Sequence, residues 1–461
     1  MKDDACTKIS PQEFIDSTTM SRRQRLIVFA VFLVMVGEGL DNTVVGFVYP
    51  QVVNDWGVPI SSVTFTVTIG VIAMAVGAVF AGPLADRWGR KGIGIVGIIM
   101  FGVSTAAMGA AANIEILATL RVLACLGLGA VAPIMVTIVA DSVPARRRAQ
   151  MVTLSFSGLA VGTVLGGILA SSMISTVGWP AMLVVCGLIP IALVPMFAFY
   201  VPESVSILIS RKRPIPKIRR SLELLAPNRD LSMVDMTDGP LVDQPKQRVG
   251  AVVLSRQYLI STLILWFCYA VGMGVVFLLL NYMPLMIESE GFNTAETGLI
   301  VGMFGWGGIV GQLIVSFALK RFDRFRILAL LWLLGTLALF VLVIATLGFA
   351  GYLVVVFALG VGLSTAVAAI QAIGALVYPQ SARATGIGWM GGMGRIGTLV
   401  SGLLGGMMLG AGWGVPQIFL ALSIVLMLGI VAALTFRTIT LRREPEVSSL
   451  SVPISSAEVS S

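Results

Sequence analysis

The chain has 461 residues, of which 57% are apolar and only 12% charged, with a formal net charge of +8. A soluble domain carries about 25% charged residues because its surface must be wetted, so a water-soluble protein of this size is excluded. The mean hydropathy of +0.96 makes this an all-α polytopic membrane protein.

Runs of about 20 apolar residues mark membrane-spanning helices, and twelve are predicted. Spans 1 to 6 cover approximately 26–49, 62–83, 92–112, 117–140, 151–173 and 180–200. Spans 7 to 12 cover approximately 258–283, 297–318, 327–348, 351–377, 386–409 and 416–436. The chain thus divides into a tail (1–25), a six-span half (26–200), a central loop (201–257), a second six-span half (258–436) and a C-terminal tail (437–461). The first apolar run is too long for a cleaved leader and lacks a small-residue cleavage site. In the central loop, short amphipathic helices such as 218–225 are expected.

Of 31 Lys and Arg, 29 lie in the tails and in the loops on one side of the membrane, and the loops on the other side hold none. This asymmetry is the positive-inside signature, so both termini and the central loop are expected in the cytoplasm. The basic charge is therefore topology, with some affinity for anionic lipid and no implied nucleic-acid partner.

Histidine is absent, and the cysteines, Cys6, Cys125, Cys186 and Cys268, are far apart. Neither a Ser-His-Asp site nor a zinc cluster is suggested; no metal, no cofactor and no catalytic residue is expected. What remains is ionic. Glu38 and Asp41 are the only acids well inside an apolar run, and Arg121 and Arg395 the only cations within spans.

Glu38 and Asp41 are three residues apart, which puts both carboxyls on one helix face, about 60° apart. A charge at the bilayer centre costs ~2.5–3.5 kcal/mol, so each must face a cavity or a partner. They read as proton-coupling residues, Asp41 also as a substrate contact; the bland alternative is a structural ion pair with Arg121 or Arg395. Arg395 lies among Gly388, Gly391, Gly392, Gly394 and Gly397, which leave room beside its guanidinium. Direct anion binding is the preferred role for Arg395 and the second choice for Arg121, which otherwise snorkels to one membrane face.

Weak repeats relate the halves. Span 2 leaves through Gly82-Pro83-Leu84-Ala85-Asp86-Arg87-Trp88-Gly89-Arg90-Lys91, and span 8 through Leu319-Lys320-Arg321-Phe322-Asp323-Arg324. Span 4 ends at Asp141 before Arg146–Arg148, and span 10 ends at Tyr378-Pro379 before Arg383. Gly89 suits a tight turn, Asp86 can cap the next helix or pair with a cation, and Arg90 can reach acids on a neighbouring helix. Asp86, Arg87, Gly89, Arg90, Asp141 and Arg383 are accordingly the gating candidates.

At this point the chain resembles the major facilitator superfamily, whose signature loop is Gly-x-x-x-Asp-Arg-x-Gly-Arg-Lys. It is further similar to the aromatic-acid:proton symporters of that superfamily. Glu38-Gly39-Leu40-Asp41 stands where that family has Asp-Gly-x-Asp, Pro202-Glu203-Ser204 follows span 6, and Tyr378 through Trp389 leads to Arg395. The resemblance implies twelve helices in two six-helix halves. It also implies proton-driven uptake of an aromatic carboxylate across a bacterial inner membrane, with roles for Glu38, Asp41, Asp86, Arg121, Arg383 and Arg395. The expected partners are a small organic anion, protons and membrane lipid, with the chain acting as a monomer.

Two departures stand out. Glu38 is one methylene longer than the family's aspartate, and Lys320 replaces the aspartate of the second-half motif, leaving Asp323 to latch that gate. Proton-antiport efflux is the nearest competitor, but span 5 has Thr163 where exporters have proline. A sugar carrier shares Pro-Glu-Ser, although two buried arginines suit an anion better. A membrane enzyme or sensor lacks both a catalytic constellation and a cytoplasmic domain.

Overall fold

The computed structural model describes residues 10–211, 213–226, 231, 234, 253–318, 321–345, 347–377 and 383–448. The regular elements among them are helices. Spans 1 to 4 are Arg22–Trp56, Ile60–Trp88, Arg90–Met108 and Ile114–Ser142. Spans 5 and 6 occupy Ala145–Phe156 and Gly158–Tyr200. Spans 7 to 9 are Leu259–Ser289, Thr294–Ala318 and Arg324–Ile344; span 10 is Phe349–Leu359 and Thr365–Val377; spans 11 and 12 are Arg383–Gly410 and Val415–Ser448. Ten helical stretches are long and apolar enough to cross a membrane. One of them, Ala145–Tyr200, is two spans divided at Gly178, and span 11 brings the count to twelve.

Local chemistry explains the ends and breaks. Span 1 starts on a capping box in which Ser21 and Gln24 exchange hydrogen bonds, and Asn113 caps span 4 through the Ile116 N–H. Gly178, at φ 81°, adopts a backbone that residues with a Cβ rarely take, and Pro180 opens span 6. Span 10 contains a wide π turn, Gly360–Ser364, which the apolar run did not foretell. There the backbone of Gly360 meets span 8: an added Cβ would lie 2.1 Å from the Phe304 carbonyl oxygen.

Helix contacts repeat between the halves. Span 1 packs on span 5, span 2 on span 4, and span 3 on span 6; span 7 packs on span 11, span 8 on span 10, and span 9 on span 12. The halves meet through spans 1 and 7, 2 and 11, and 5 and 8. The ends of the spans define two faces. One carries the Lys and Arg clusters and is called the basic face; the other, carrying Asp55, Glu115, Glu288, Glu290 and Glu296, is the acidic face.

The halves are not parted evenly. On the acidic side one apolar cluster joins Leu40, Val44, Val48 and Val67 of the first half to Leu278, Tyr282 and Ile300 of the second. On the basic side Val34, Ala81, Ile134 and Phe197 belong to a separate cluster, completed by residues of the N-terminal tail and the central loop and holding none from the second half. Backbone approach shows the same asymmetry. A Cβ on Gly406 would sit 1.9 Å from Thr64 Oγ1, and one on Gly46 2.5 Å from the Leu280 carbonyl oxygen. On the same face of span 11 but nearer the basic side, Gly388, Gly391 and Gly392 would meet nothing within 4 Å among the described residues. Among the described residues the acidic face is sealed and the basic face is open.

As expected, an amphipathic helix forms at Ile215–Leu225, with Ile218, Leu222 and Leu225 buried. Lys320 and Tyr378–Ala382 lie outside the described residues, as do most of the central loop and the tail ends.

Overpacking a tight seam costs about 1–3 kcal/mol, roughly a 5- to 150-fold shift in a two-state equilibrium. Gly406→Leu should therefore push the acidic face apart. Spin labels at the exposed positions Asn54 and Glu290 should report a longer distance than in the parent protein; an unchanged distance would show that the seam does not hold that face shut.

Candidate functional site

Three spans converge on Asp41. Its Oδ2 accepts a 2.6 Å bond from Arg121 Nη1 of span 4, and its Oδ1 a 2.5 Å bond from the Thr105 hydroxyl of span 3. Asp41 and Arg121 are 1% and 5% exposed, so the pair is withdrawn from solvent. Span 5 is held close behind them: a Cβ on Gly39 would lie 2.2 Å from the Leu159 carbonyl oxygen.

Glu38 is equally buried, yet its Oε2 has no hydrogen-bond partner among the described residues. Arg395, the other cation within the spans, makes no ion pair with it among the described residues. Arg395 is half-buried and donates from Nη1 to the Met74 thioether of span 2, 3.0 Å away. The mid-membrane charges are thus one closed set, Asp41–Arg121–Thr105, and one open set, Glu38 and Arg395.

This placement decides between the pairings that the sequence left open. Arg121, not Arg395, neutralises Asp41. Arg121 does not snorkel, because an ion pair inside the bundle already satisfies it. The glycines around Arg395 divide their work: Gly394 and Gly397 pack tightly on Tyr269 and Ala270 of span 7, while Gly388, Gly391 and Gly392 meet no neighbour among the described residues.

Beside the closed set lies a cavity of about 10 Å³, lined by Asn42, Tyr49, Met74, Arg121, Phe277 and Asn281 among others. That is room for about one water molecule, whereas a small-molecule site needs some 300 Å³ or more. A ligand therefore requires the walls to part.

At the basic face, Asp141 accepts from both Arg90 and the Ser204 hydroxyl, as the spacing suggested for Arg90. The cap on span 3 is a correction. Glu203, not Asp86, accepts from the Arg90 and Lys91 N–H groups at 2.8 and 3.3 Å. A carboxylate is favoured there by the helix dipole. Asp86 instead receives the Arg211 guanidinium on its backbone carbonyl, at 2.6 and 2.9 Å, and its side chain is exposed, as is that of Arg87. Gly89 is required twice: φ is 102°, and a Cβ would sit 2.3 Å from Glu203 Oε2. Glu203 was quoted in the Pro-Glu-Ser string, but nothing in that string announced a cap for a helix 113 residues earlier.

Asp323 caps span 9 through the Arg326 N–H at 2.9 Å. Arg383 begins span 11, and its side chain lies outside the described residues. Among the described residues no three potential ligands gather as a metal site would need.

Comparison with known proteins places this geometry. Residues 29–374 and 265–456 match the Major Facilitator Superfamily. The 4-hydroxybenzoate transporter PcaK of Pseudomonas aeruginosa is 32% identical over 439 residues, covering 93% of this chain and 96% of that protein. The gallate transporter of Pseudomonas putida is 32% identical over 440 residues, covering 95% and 98%. The xylose transporter XylE from E. coli, solved in a partially occluded inward open conformation, matches with a TM-score of 0.67 at 16% identity, over 91% of this chain and 98% of that one; this is a likeness of fold. With twelve spans in two repeated halves and a match over most of its length, the chain belongs to the Major Facilitator Superfamily.

Proposed function

We propose that the protein is a secondary active carrier that takes up an aromatic carboxylate, or a related organic acid, together with protons. The observation that carries this reading is the pairing of a closed Asp41–Arg121 set with an open Glu38 and Arg395 at mid-membrane. Relatives that carry 4-hydroxybenzoate and gallate support an aromatic acid as cargo. The bacterial relatives support a bacterial inner membrane, and the positive-inside count supports the basic face and both termini in the cytoplasm. On that orientation the acidic face is external, and this conformation faces inward. Each chain holds the whole site, which supports action as a monomer.

The chemistry runs through charge balance. An anion entering a negative-inside cell works against roughly 2.3 kcal/mol per charge per 100 mV. One proton cancels that, and a second makes the voltage helpful; Glu38 and Asp41 supply two carboxyls. A protonated Asp41 no longer neutralises Arg121, whose guanidinium then takes the substrate carboxylate, with Arg395 as the cation on the inward side. After release, Asp41 loses its proton and re-forms the pair, so the empty carrier returns closed. The Arg90–Asp141–Ser204 cluster, with Asp86, Arg87 and Gly89 in the adjoining turn, is the inner gate, and Arg383, at the start of span 11, acts with it from the second half.

Proteoliposome uptake of a panel of benzoates, hydroxybenzoates, gentisate, protocatechuate, vanillate and muconate tests the function. Acidifying the outside should drive accumulation of at least one, and a protonophore should abolish it; no accumulation of any would contradict the proposal. Cysteines replacing Ser289 and Arg147 in a Cys-less variant should label from opposite sides of intact cells, and labelling of both from outside would overturn the orientation.

Asp41→Asn should abolish accumulation while sparing exchange of internal for external substrate, and Glu38→Asp should stay active. Continued accumulation by Asp41→Asn would remove that carboxyl from the coupling. Arg395→Lys keeps the charge but loses the planar fork, so the apparent KM should rise about ten-fold, the worth of one charge-assisted hydrogen bond. An unchanged KM would leave Arg395 without a substrate role.

A further inference from the structure

The Tyr49 side chain is the anomaly of the molecular interior. It is 2% exposed, and its hydroxyl has no hydrogen-bond partner among the described residues. A buried orphan hydroxyl is a standing cost to the fold; a phenylalanine would fill the same space without it. Tyr49 also borders the cavity beside the closed ion pair, whose wall supplies Arg121, Asn42 and Asn281 as further polar groups and Phe277 as an aromatic one. Asn281 commits its Nδ2 to the Phe277 carbonyl oxygen at 2.9 Å, which leaves its amide oxygen toward other partners.

Two more facts fix what this cavity is. Its wall is shared between the halves: Asn42, Tyr49, Met74 and Arg121 come from the first, and Phe277 and Asn281 from the second. It also lies at the sealed side of the seam, where Gly46 of span 1 rests on Leu280 and Asn281 of span 7. Parting the acidic face would separate Phe277 and Asn281 from the other wall and widen the cavity toward that face. Met74 stands between this cavity and Arg395, bordering the one and touching the other.

We infer that Tyr49, with Asn42, Asn281 and Arg121, forms the subsite that first receives the aromatic carboxylate from the acidic face, with its ring against Phe277. This rests on the carrier reading above and adds residues to it. Arg121 and the Tyr49 hydroxyl take the carboxylate, and the two asparagines meet polar substituents on the ring. The subsite collapses to the volume of one water when the acidic face closes, and the anion moves past Met74 toward Arg395. The orphan hydroxyl is stability given up for binding.

The test uses Tyr49→Phe in the full-length carrier, with 4-hydroxybenzoate and benzoate as probes. Substrate-free thermal stability should be equal to or above that of the wild type, because the unpaired hydroxyl is gone. Affinity for both probes should fall about ten-fold, because the bond to the shared carboxylate is lost. Lowered stability with unchanged affinity would overturn the subsite and make Tyr49 a packing residue. The wild-type arm reports separately on the carrier reading: a wild type that binds and moves no acid of the uptake panel fails that reading, whereas a wild type that moves the probes beside an unaffected Tyr49→Phe fails only the subsite. As a second measurement, Cys125, on the same cavity wall, is kept as the sole cysteine. Its alkylation in the wild-type background should slow in the presence of either probe, and equal rates with and without probe would also overturn the subsite.

Discussion

The rest of the structure depends on the buried ion pair between Asp41 and Arg121. Taking two charges out of water is expensive, and removing one partner of such a pair leaves the other uncompensated at about 3–5 kcal/mol. That penalty is the physical reason for coupling in the proposed carrier. Protonating Asp41 alone strands a buried guanidinium, and seating an anion on Arg121 alone strands a buried carboxylate. Only proton and anion together keep the interior neutral. Thr105 holds the carboxylate in place from a third helix, so the pair also ties spans 1, 3 and 4 into one rigid half.

The other features take their places around this constraint. Gly39 brings span 5 against span 1 at the level of the acids, and Gly46 brings span 7 against it one layer nearer the acidic face. The shared apolar cluster seals that side, and the separate cluster, holding none from the second half, leaves the basic side parted. At the basic face, Glu203 and Arg211 place opposite charges on the start of span 3 and the end of span 2, each complementing the dipole of its helix. The turn between spans 2 and 3 is thereby tied to the segment that leaves span 6. Motion of one half against the other can reach it as a single lever.

Much of this was legible in the sequence, for reasons that are local. Twelve apolar runs must become helices because lipid offers no partner for free backbone groups, and the division at Gly178 falls in the gap between two runs. The four mid-membrane charges stood out because nothing else resembled them. What was not legible depends on distance in sequence. Glu203 caps a helix 113 residues away and Asp41 finds Arg121 80 residues away, and no periodicity encodes either meeting. The π turn at Gly360–Ser364 arises from close approach to spans 8 and 9, where added Cβ atoms would strike the Phe304 and Leu331 carbonyl oxygens. Nothing in its apolar run distinguishes Tyr49; only its burial without a partner among the described residues sets it apart.

The central claim is that an anion reaches Arg121 only as a proton reaches the carboxyls beside it. Proton uptake on substrate binding measures this directly. Calorimetric titration of the purified carrier with a transported acid, above neutral pH and in two buffers of different ionisation enthalpy, gives the protons taken up per substrate bound. The account predicts uptake of about one proton or more by linkage, largely lost in Asp41→Asn. Binding of the acid with no proton taken up in the wild type would contradict it.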